Sequence, residues 1–127
     1  YNIDTKDYDA IVFVGGMGTT VYFDNKQAQN LAKDFNKSGK VVAAICIAPV
    51  ILANAGVLDG KKATVFPSGR NDINAVGTYT GKIVEKDGNI ITGSGPEAAK
   101  DFGKKIVEAL KWYNEKIVIN NDWISFC

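Results

Sequence analysis

Cys46 is the residue of this 127-residue chain best equipped for chemistry. It sits within Val41-Val42-Ala43-Ala44-Ile45-Cys46-Ile47-Ala48-Pro49-Val50-Ile51-Leu52-Ala53-Asn54-Ala55-Gly56. The small and β-branched residues before it show no polar alternation, which reads as a strand buried on both faces of a parallel sheet. A short helix follows. Proline is tolerated in a first helical turn, where its missing N–H has no intrahelical partner to lose, and Gly56 takes the C′ place. Cys46 therefore falls on a strand-to-helix turn. A thiol there feels the positive end of the helix dipole, which favours the nucleophilic thiolate, and N–H groups of the same turn are candidates to hold an oxyanion. The competing reading is a buried cysteine acting as a small inert hydrophobe. The strand–cysteine–helix context favours the functional one.

A second apolar strand, Ala10-Ile11-Val12-Phe13-Val14, follows Asp7-Tyr8-Asp9 and ends in Gly15-Gly16-Met17-Gly18. Glycines after a buried parallel strand allow close backbone approach at the C-terminal edge of the sheet, where open α/β sheets bind ligands. The spacing is not Gly-x-Gly-x-x-Gly and no Walker lysine follows, which disfavours a nucleotide loop. The N–H groups of Gly15, Gly16 and Ile47 are instead candidates to bind an anion at the Cys46 turn. Thr19 and Thr20 follow on the same edge and are candidate pocket residues. Asp7, Asp9, Glu85 and Glu97 read as caps and turn residues. Tyr22, Tyr79, Trp112 and Trp123 read as core or interface aromatics, because no basic stripe accompanies them. Arg70, the single arginine, is a candidate partner for a substrate carboxylate, but nothing in the sequence places it near Cys46.

The chain contains no histidine, which excludes any Cys-His or Ser-His-Asp arrangement within it. Without histidine or a cysteine cluster no metal site is expected, and no cofactor is indicated. Fifteen basic and 14 acidic residues are well mixed, for a net charge of +1. That balance argues against nucleic acid or a membrane surface as partner. No apolar run reaches the ~18 residues of a membrane span. The two cysteines are not a disulfide framework, and a reactive thiol suits a reducing compartment, so a cytoplasmic location is expected. Tyr1-Asn2-Ile3-Asp4 is neither a signal peptide nor a usual initiator start, which suggests a processed or cut chain.

The positioning elements follow from local patterns. Asp24 with Gln27 reads as a capping box for a helix that places Ala28, Leu31, Ala32 and Phe35 on one face and stops at Lys37-Ser38-Gly39-Lys40. Strand, helix and strand from Ala10 to Cys46 form a parallel crossover. Ala63-Thr64-Val65-Phe66 reads as a short strand ended by Pro67, and Ser68 to Val76 carries a helical turn anchored by Ile73 and Val76. Asp87-Gly88 marks a hairpin between Ile83–Lys86 and Asn89–Thr92. Ser94-Gly95-Pro96-Glu97 reads as a capping box for a helix running to about Trp112. In the tail, 117–119 and 123–127 read as short strands around an Asn120-Asn121-Asp122 turn.

Four ordered motifs carry a resemblance: Tyr8-Asp9-Ala10-Ile11-Val12-Phe13-Val14-Gly15-Gly16, Ala44-Ile45-Cys46, Ala53-Asn54-Ala55-Gly56-Val57-Leu58-Asp59-Gly60-Lys61 and Gly88-Asn89-Ile90-Ile91-Thr92-Gly93-Ser94-Gly95-Pro96. From about Tyr8 to Trp112 the chain resembles the ThiJ/PfpI superfamily, which includes the parkinsonism-associated deglycase proteins. Ile47 follows the cysteine where protease-like members have histidine, so the deglycase-like branch is the nearer one. Phe66-Pro67 occupies a place where some members of that branch carry a histidine and others an aromatic.

The resemblance implies one flavodoxin-like α/β domain over 1–127, a three-layer sandwich with a mostly parallel sheet and Cys46 on a nucleophile elbow. Residues 113–127 form its extra C-terminal tail. The implied function is a cysteine-dependent enzyme of deglycase or glyoxalase type acting on small reactive carbonyls or their adducts. Cys46 is then the nucleophile, Gly15, Gly16 and Ile47 the oxyanion donors, and Thr19, Thr20 and Phe66 the pocket. The alternatives are a redox-sensing or stress-protective chaperone with an oxidisable cysteine, and a structural or interaction module. The family's opening strand and helix, with the glutamate that hydrogen-bonds the cysteine, have no counterpart before Tyr8. The sheet is therefore expected to show an uncovered inner edge, relieved by a homodimer, by a separate N-terminal fragment or by the tail strand at 117–119.

Overall fold

The computed structural model describes residues 4–15, 24–110 and 117–119. Its first strand, β1 (Ala10–Gly15), runs parallel to β2 (Val41–Cys46), with Ala10 opposite Val41 and Gly15 opposite Cys46. All six residues of β2 are buried, as a strand covered on both faces requires. The crossover between the two strands is α1 (Lys26–Lys37). Its N-cap is Asn25, one residue later than the expected Asp24, and the Asn25 side chain accepts from the Ala28 N–H at 3.0 Å. Ala28, Ala32 and Phe35 are buried on the expected face. The helix stops where Gly39 enters the left-handed region, at φ +74°.

After β2 come α2 (Pro49–Asn54) and a left-handed Gly56. The chain continues through β3 (Lys62–Ala63), α3 (Arg70–Asn74) and β4 (Thr78–Tyr79), and β3 pairs with β4 in a small separate sheet. The strand expected over 63–66 is thus cut to its first residue. The cause is a tertiary contact: the Thr64 N–H donates to the side chain of Thr92, 28 residues away, rather than to the backbone of a neighbouring strand. β5 (Val84–Asp87) and β6 (Ile90–Gly93) form the expected hairpin, with Asp87 opposite Ile90. The two loop residues are Gly88 and Asn89, one step later than expected, and only Gly88 takes a positive φ, at +62°. α4 (Ala99–Leu110) follows a single 3₁₀ turn at Pro96–Ala98. Gly95 occupies the cap position of that turn with no side-chain cap bond, so the Ser94 capping box does not form.

The main sheet has the order β5-β6-β2-β1-β7, where β7 is Ile117–Ile119. Every neighbouring pair is parallel except β5 with β6. β7 lies beside β1, with Ala10 opposite Ile117 and Val12 opposite Ile119. The inner edge expected to stand open is therefore occupied along β1 by the tail strand. The rest of 113–127 lies outside the described residues, including the expected turn at Asn120 and strand at Trp123.

Strand alternation sorts the core into two layers. Ile11, Phe13, Val42 and Ala44 pack with α1, α2 and residues 55–73. Ala10, Val12, Val41, Ala43 and Ile45 pack with Phe102, Ile106 and Leu110 of α4. The chain is thus an α/β sandwich with helices on both faces of a largely parallel sheet. Among the described residues no helix is long and apolar enough to cross a membrane.

Two glycines of this frame behave oppositely on substitution. A Cβ at Gly77 would stand 2.4 Å from the Lys61 carbonyl oxygen and 2.7 Å from that of Leu58. Gly77→Ala is expected to destabilise the fold by about 1–3 kcal/mol, because backbone cannot swing aside as a side chain can. Gly103, inside α4, has nothing within 4 Å of its built Cβ. Gly103→Ala is expected to stabilise by ~1 kcal/mol through helix propensity alone. Urea denaturation of the two variants checks both signs.

Candidate functional site

Cys46 is the last residue of β2 and, among the described residues, the only one other than glycine with a positive φ, at +67°. An L-residue pays roughly 1–2 kcal/mol for that conformation, since its Cβ crowds the following carbonyl. The kink redirects the chain. Along β2, Val41, Ala43 and Ile45 face α4, so simple alternation would send residue 46 to the opposite layer. Cys46 instead packs with Ile45 and the α4 cluster, and Ile47 goes to the α1/α2 side. Cys46 is 5% exposed.

Backbone hydrogen bonds hold the kink from two sides. The Ile47 N–H donates to the Gly15 carbonyl at 3.3 Å, joining the ends of β1 and β2. The Phe66 N–H donates to the Cys46 carbonyl at 2.7 Å. That second bond depends on Thr64, two residues earlier and fully buried. Its N–H donates to Thr92 Oγ1 of β6 at 2.9 Å, and its hydroxyl donates to the Lys82 carbonyl at 2.6 Å. Thr92 lies next to β2, opposite Ala44. The segment 64–66 is thereby tied to the sheet on one side and to Cys46 on the other. Gly69 closes the same corner, since a Cβ there would stand 3.0 Å from both Ile47 Cδ1 and Val50 Cγ2.

The structure thus brings together Gly15, Cys46, Ile47 and Phe66 from the sequence-derived set. Phe66 is 40% exposed beside the Cys46 carbonyl it binds. Gly16, Thr19 and Thr20 lie outside the described residues, as do Tyr22, Trp112 and Trp123. Arg70 opens α3 directly after Gly69 and is exposed. Glu97 is exposed on the turn before α4. Glu85 departs from its expected turn role. It is a buried β5 residue, 8% exposed, whose Oε1 has no hydrogen-bond partner and stands 3.8 Å from Lys82 Nζ. That separation is too long for a hydrogen bond and leaves only an electrostatic contact. Tyr79 packs against the core, as expected.

The state of the cysteine also differs from expectation. Cys46 is disulfide-bonded, so among the described residues no cysteine is free. Among the described residues no group of three or more His, Cys, Asp or Glu side chains is placed to hold a metal. The positioning role of Thr64 and Thr92 was not anticipated. Its trace in the sequence is a hydroxyl residue at a fully buried strand position where the flanking pattern calls for an aliphatic one.

The family model described as the DJ-1/PfpI family matches residues 1–109. An uncharacterized protein of Methanocaldococcus jannaschii is 42% identical over 119 residues, which cover 91% of this chain and 58% of that protein. A deglycase of Pyrococcus horikoshii is 34% identical over 110 residues, covering 86% of this chain and 66% of its own length. Among solved structures, a ThiJ/PfpI domain protein of Brachyspira murdochii superposes with a TM-score of 0.86 at 33% identity, over 89% of this chain and 66% of that one. The chain spans roughly three-fifths to two-thirds of the length of these relatives.

The hydroxyl link makes a specific prediction. Thr92→Val leaves the buried Thr64 N–H without an acceptor and is expected to cost about 1–3 kcal/mol in urea denaturation. Thr92→Ser keeps the hydroxyl and is expected to recover most of that loss. Equal stability of the Val and Ser variants would show that the link carries no weight.

Proposed function

The chain belongs to the DJ-1/PfpI family, and from that premise we propose that it is the cysteine-bearing part of an enzyme of deglycase or glyoxalase type, acting on small reactive carbonyls or their adducts. Named deglycases among its relatives support the deglycase-like branch. The observation that carries the reading is the left-handed Cys46 at the C-terminal end of β2. Strain of this kind persists where surrounding structure enforces it, and such residues cluster at functional sites. In this reading Cys46 is the nucleophile of a strand–turn–helix elbow.

In its reduced form the Cys46 thiolate adds to the carbonyl carbon of the substrate. The carbonyl π electrons move to oxygen, and the resulting alkoxide takes a proton to give a hemithioacetal. The developing oxyanion is held by N–H groups at Gly16 and Ile47, with Gly15 beside them. The Ile47 N–H already serves the Gly15 carbonyl, but at 3.3 Å that bond is long, and a charged oxygen is the better acceptor. Thr19, Thr20 and Phe66 are the proposed pocket, with the exposed Phe66 ring as its apolar wall. No histidine of this chain can move the proton, so that step falls to another group. The resemblance implies, in the part of the family domain that comes before the Tyr8-Asp9 motif, a glutamate that hydrogen-bonds the cysteine.

A second reading has its own support. The disulfide-bonded state of Cys46 fits a redox-responsive protein in which the cysteine is oxidised rather than used for turnover. Methylglyoxal consumption by the dithiothreitol-reduced chain separates the two. The enzymatic reading expects turnover that Cys46→Ala lowers to the buffer background. Equal rates for the chain and Cys46→Ala would end it. The resemblance also leads us to propose a homodimer, for which sedimentation equilibrium is expected to read twice the 13.7 kDa chain mass. A single species at the chain mass would remove that proposal.

A further inference from the structure

We propose that Arg70 is a carboxylate anchor near Cys46, which fits the site to small carbonyl compounds whose reacting carbon is bonded to a carboxylate, the class of glyoxylate and other 2-oxo acids. Arg70 is the single arginine of the chain, and the structure roots it at the site. The Phe66 N–H donates to the Cys46 carbonyl at 2.7 Å. The 3₁₀ turn Pro67–Gly69 follows. It is closed by the Gly69 N–H on the Phe66 carbonyl at 2.8 Å and by the Arg70 N–H on the Pro67 carbonyl. At ~2.0 Å of rise per residue, the four steps from Phe66 to Arg70 advance the chain by only ~8 Å. Nor does the turn lead away from the cysteine. A Cβ built on Gly69 would stand 3.0 Å from both Ile47 Cδ1 and Val50 Cγ2, so the residue before Arg70 lies against the residue after Cys46.

The side chain suits a planar anion. Every other basic residue of the chain is a lysine, a flexible, strongly hydrated point charge. A guanidinium instead presents a rigid fork of N–H donors, which a carboxylate meets with two parallel hydrogen bonds. Arg70 is exposed. Among the described residues the ion pairs join Lys82 to Glu85 and Lys105 to Glu108, and Arg70 enters neither. The turn thus fixes its backbone, and no internal carboxylate among those residues takes its charge. With a 2-oxo acid bound, the reduced Cys46 thiolate forms a C–S bond to the carbonyl carbon. The π pair moves to oxygen, and that oxygen takes a proton from water to give the hemithioacetal. The carboxylate stays bonded to the same carbon and paired with Arg70 throughout. Turnover of such a substrate rests on the enzymatic reading proposed above. Recognition of a carboxylate near the thiol does not.

Two alkylating reagents of nearly the same shape test this without turnover. Iodoacetate carries a carboxylate and iodoacetamide a neutral amide. With either, the thiolate bonds to the methylene carbon and iodide leaves. The full 127-residue chain is reduced, freed of reductant, labelled for increasing times and read by peptide mass at Cys46. Arg70→Gln is expected to lower the iodoacetate rate about fivefold, the scale of one exposed charge pair, and to leave the iodoacetamide rate unchanged. Lys37→Gln removes the same charge at the end of α1 that leads into the start of β2, away from Cys46. It is expected to leave both rates unchanged. In the unaltered chain, glyoxylate is expected to protect Cys46 from iodoacetamide at a lower concentration than the neutral glycolaldehyde does, and Arg70→Gln is expected to remove that advantage. The proposal is overturned if Arg70→Gln changes both alkylation rates alike or neither, if Lys37→Gln lowers the iodoacetate rate as much, or if glyoxylate protects no better than glycolaldehyde. A chain that shows the Arg70 effect but never consumes methylglyoxal keeps this proposal and loses the enzymatic one. A chain that consumes methylglyoxal through Cys46 and shows no Arg70 effect does the reverse.

Discussion

The parallel pairing of β1 with β2 is the constraint on which the rest of the molecule depends. Its register, Ala10 opposite Val41 through Gly15 opposite Cys46, decides two things together. It sends alternate residues of both strands into two separate cores, one under α1 and α2 and one under α4. It also brings both strands to an end at one level, so that a glycine faces the cysteine. A slip of one residue would turn every side chain of one strand to the wrong layer. The site's place at the sheet edge is thus enforced by the burial of the entire core rather than by local contacts alone.

What local contacts add is the angle at which the chain turns. The conformational cost at Cys46, roughly 1–2 kcal/mol, is comparable to the ~1 kcal/mol net worth of one or two ordinary hydrogen bonds. Two such bonds straddle the kink, from Ile47 N–H to Gly15 and from Phe66 N–H to the Cys46 carbonyl. The segment that supplies the second, 64–66, is itself held at Thr64 by the Thr92 hydroxyl and the Lys82 carbonyl. A hydroxyl on β6 therefore influences the turn after β2 without touching the cysteine.

Much of this was legible in the sequence because period and punctuation carry it. The apolar runs at 10–14 and 41–45 gave two buried strands, and the helical spacing of Ala28, Ala32 and Phe35 gave the crossover. Gly39, Gly56 and Gly88 marked stops that the backbone places in the left-handed region. The errors fall where one side chain outbids local pattern. Asn25 takes the cap from Asp24 because its oxygen reaches the Ala28 N–H. The strand expected over 63–66 dissolves because the Thr64 N–H finds Thr92, 28 residues away, a contact that local periodicity does not encode. Of the site, Cys46, Gly15, Ile47 and Phe66 could be chosen from spacing and resemblance. That Phe66 enters through its N–H depended on tertiary proximity.

The side of the sheet on which Cys46 lies bears on why it is there. In ordinary strand geometry residue 46 would point into the α1/α2 layer, as Val42 and Ala44 do. A cysteine used only as a small core hydrophobe would be served by that arrangement without positive-φ strain. The chain instead turns at residue 46, moves the sulfur to the α4 side and lets Ile47 fill the α1/α2 layer. Burial alone does not ask for this exchange, since Cys46 would be buried either way. What the kink does change is the layer that receives Cys46, the α4 side in place of the α1/α2 side. That is the sense in which the backbone, more than the thiol's burial, supports a chemical role.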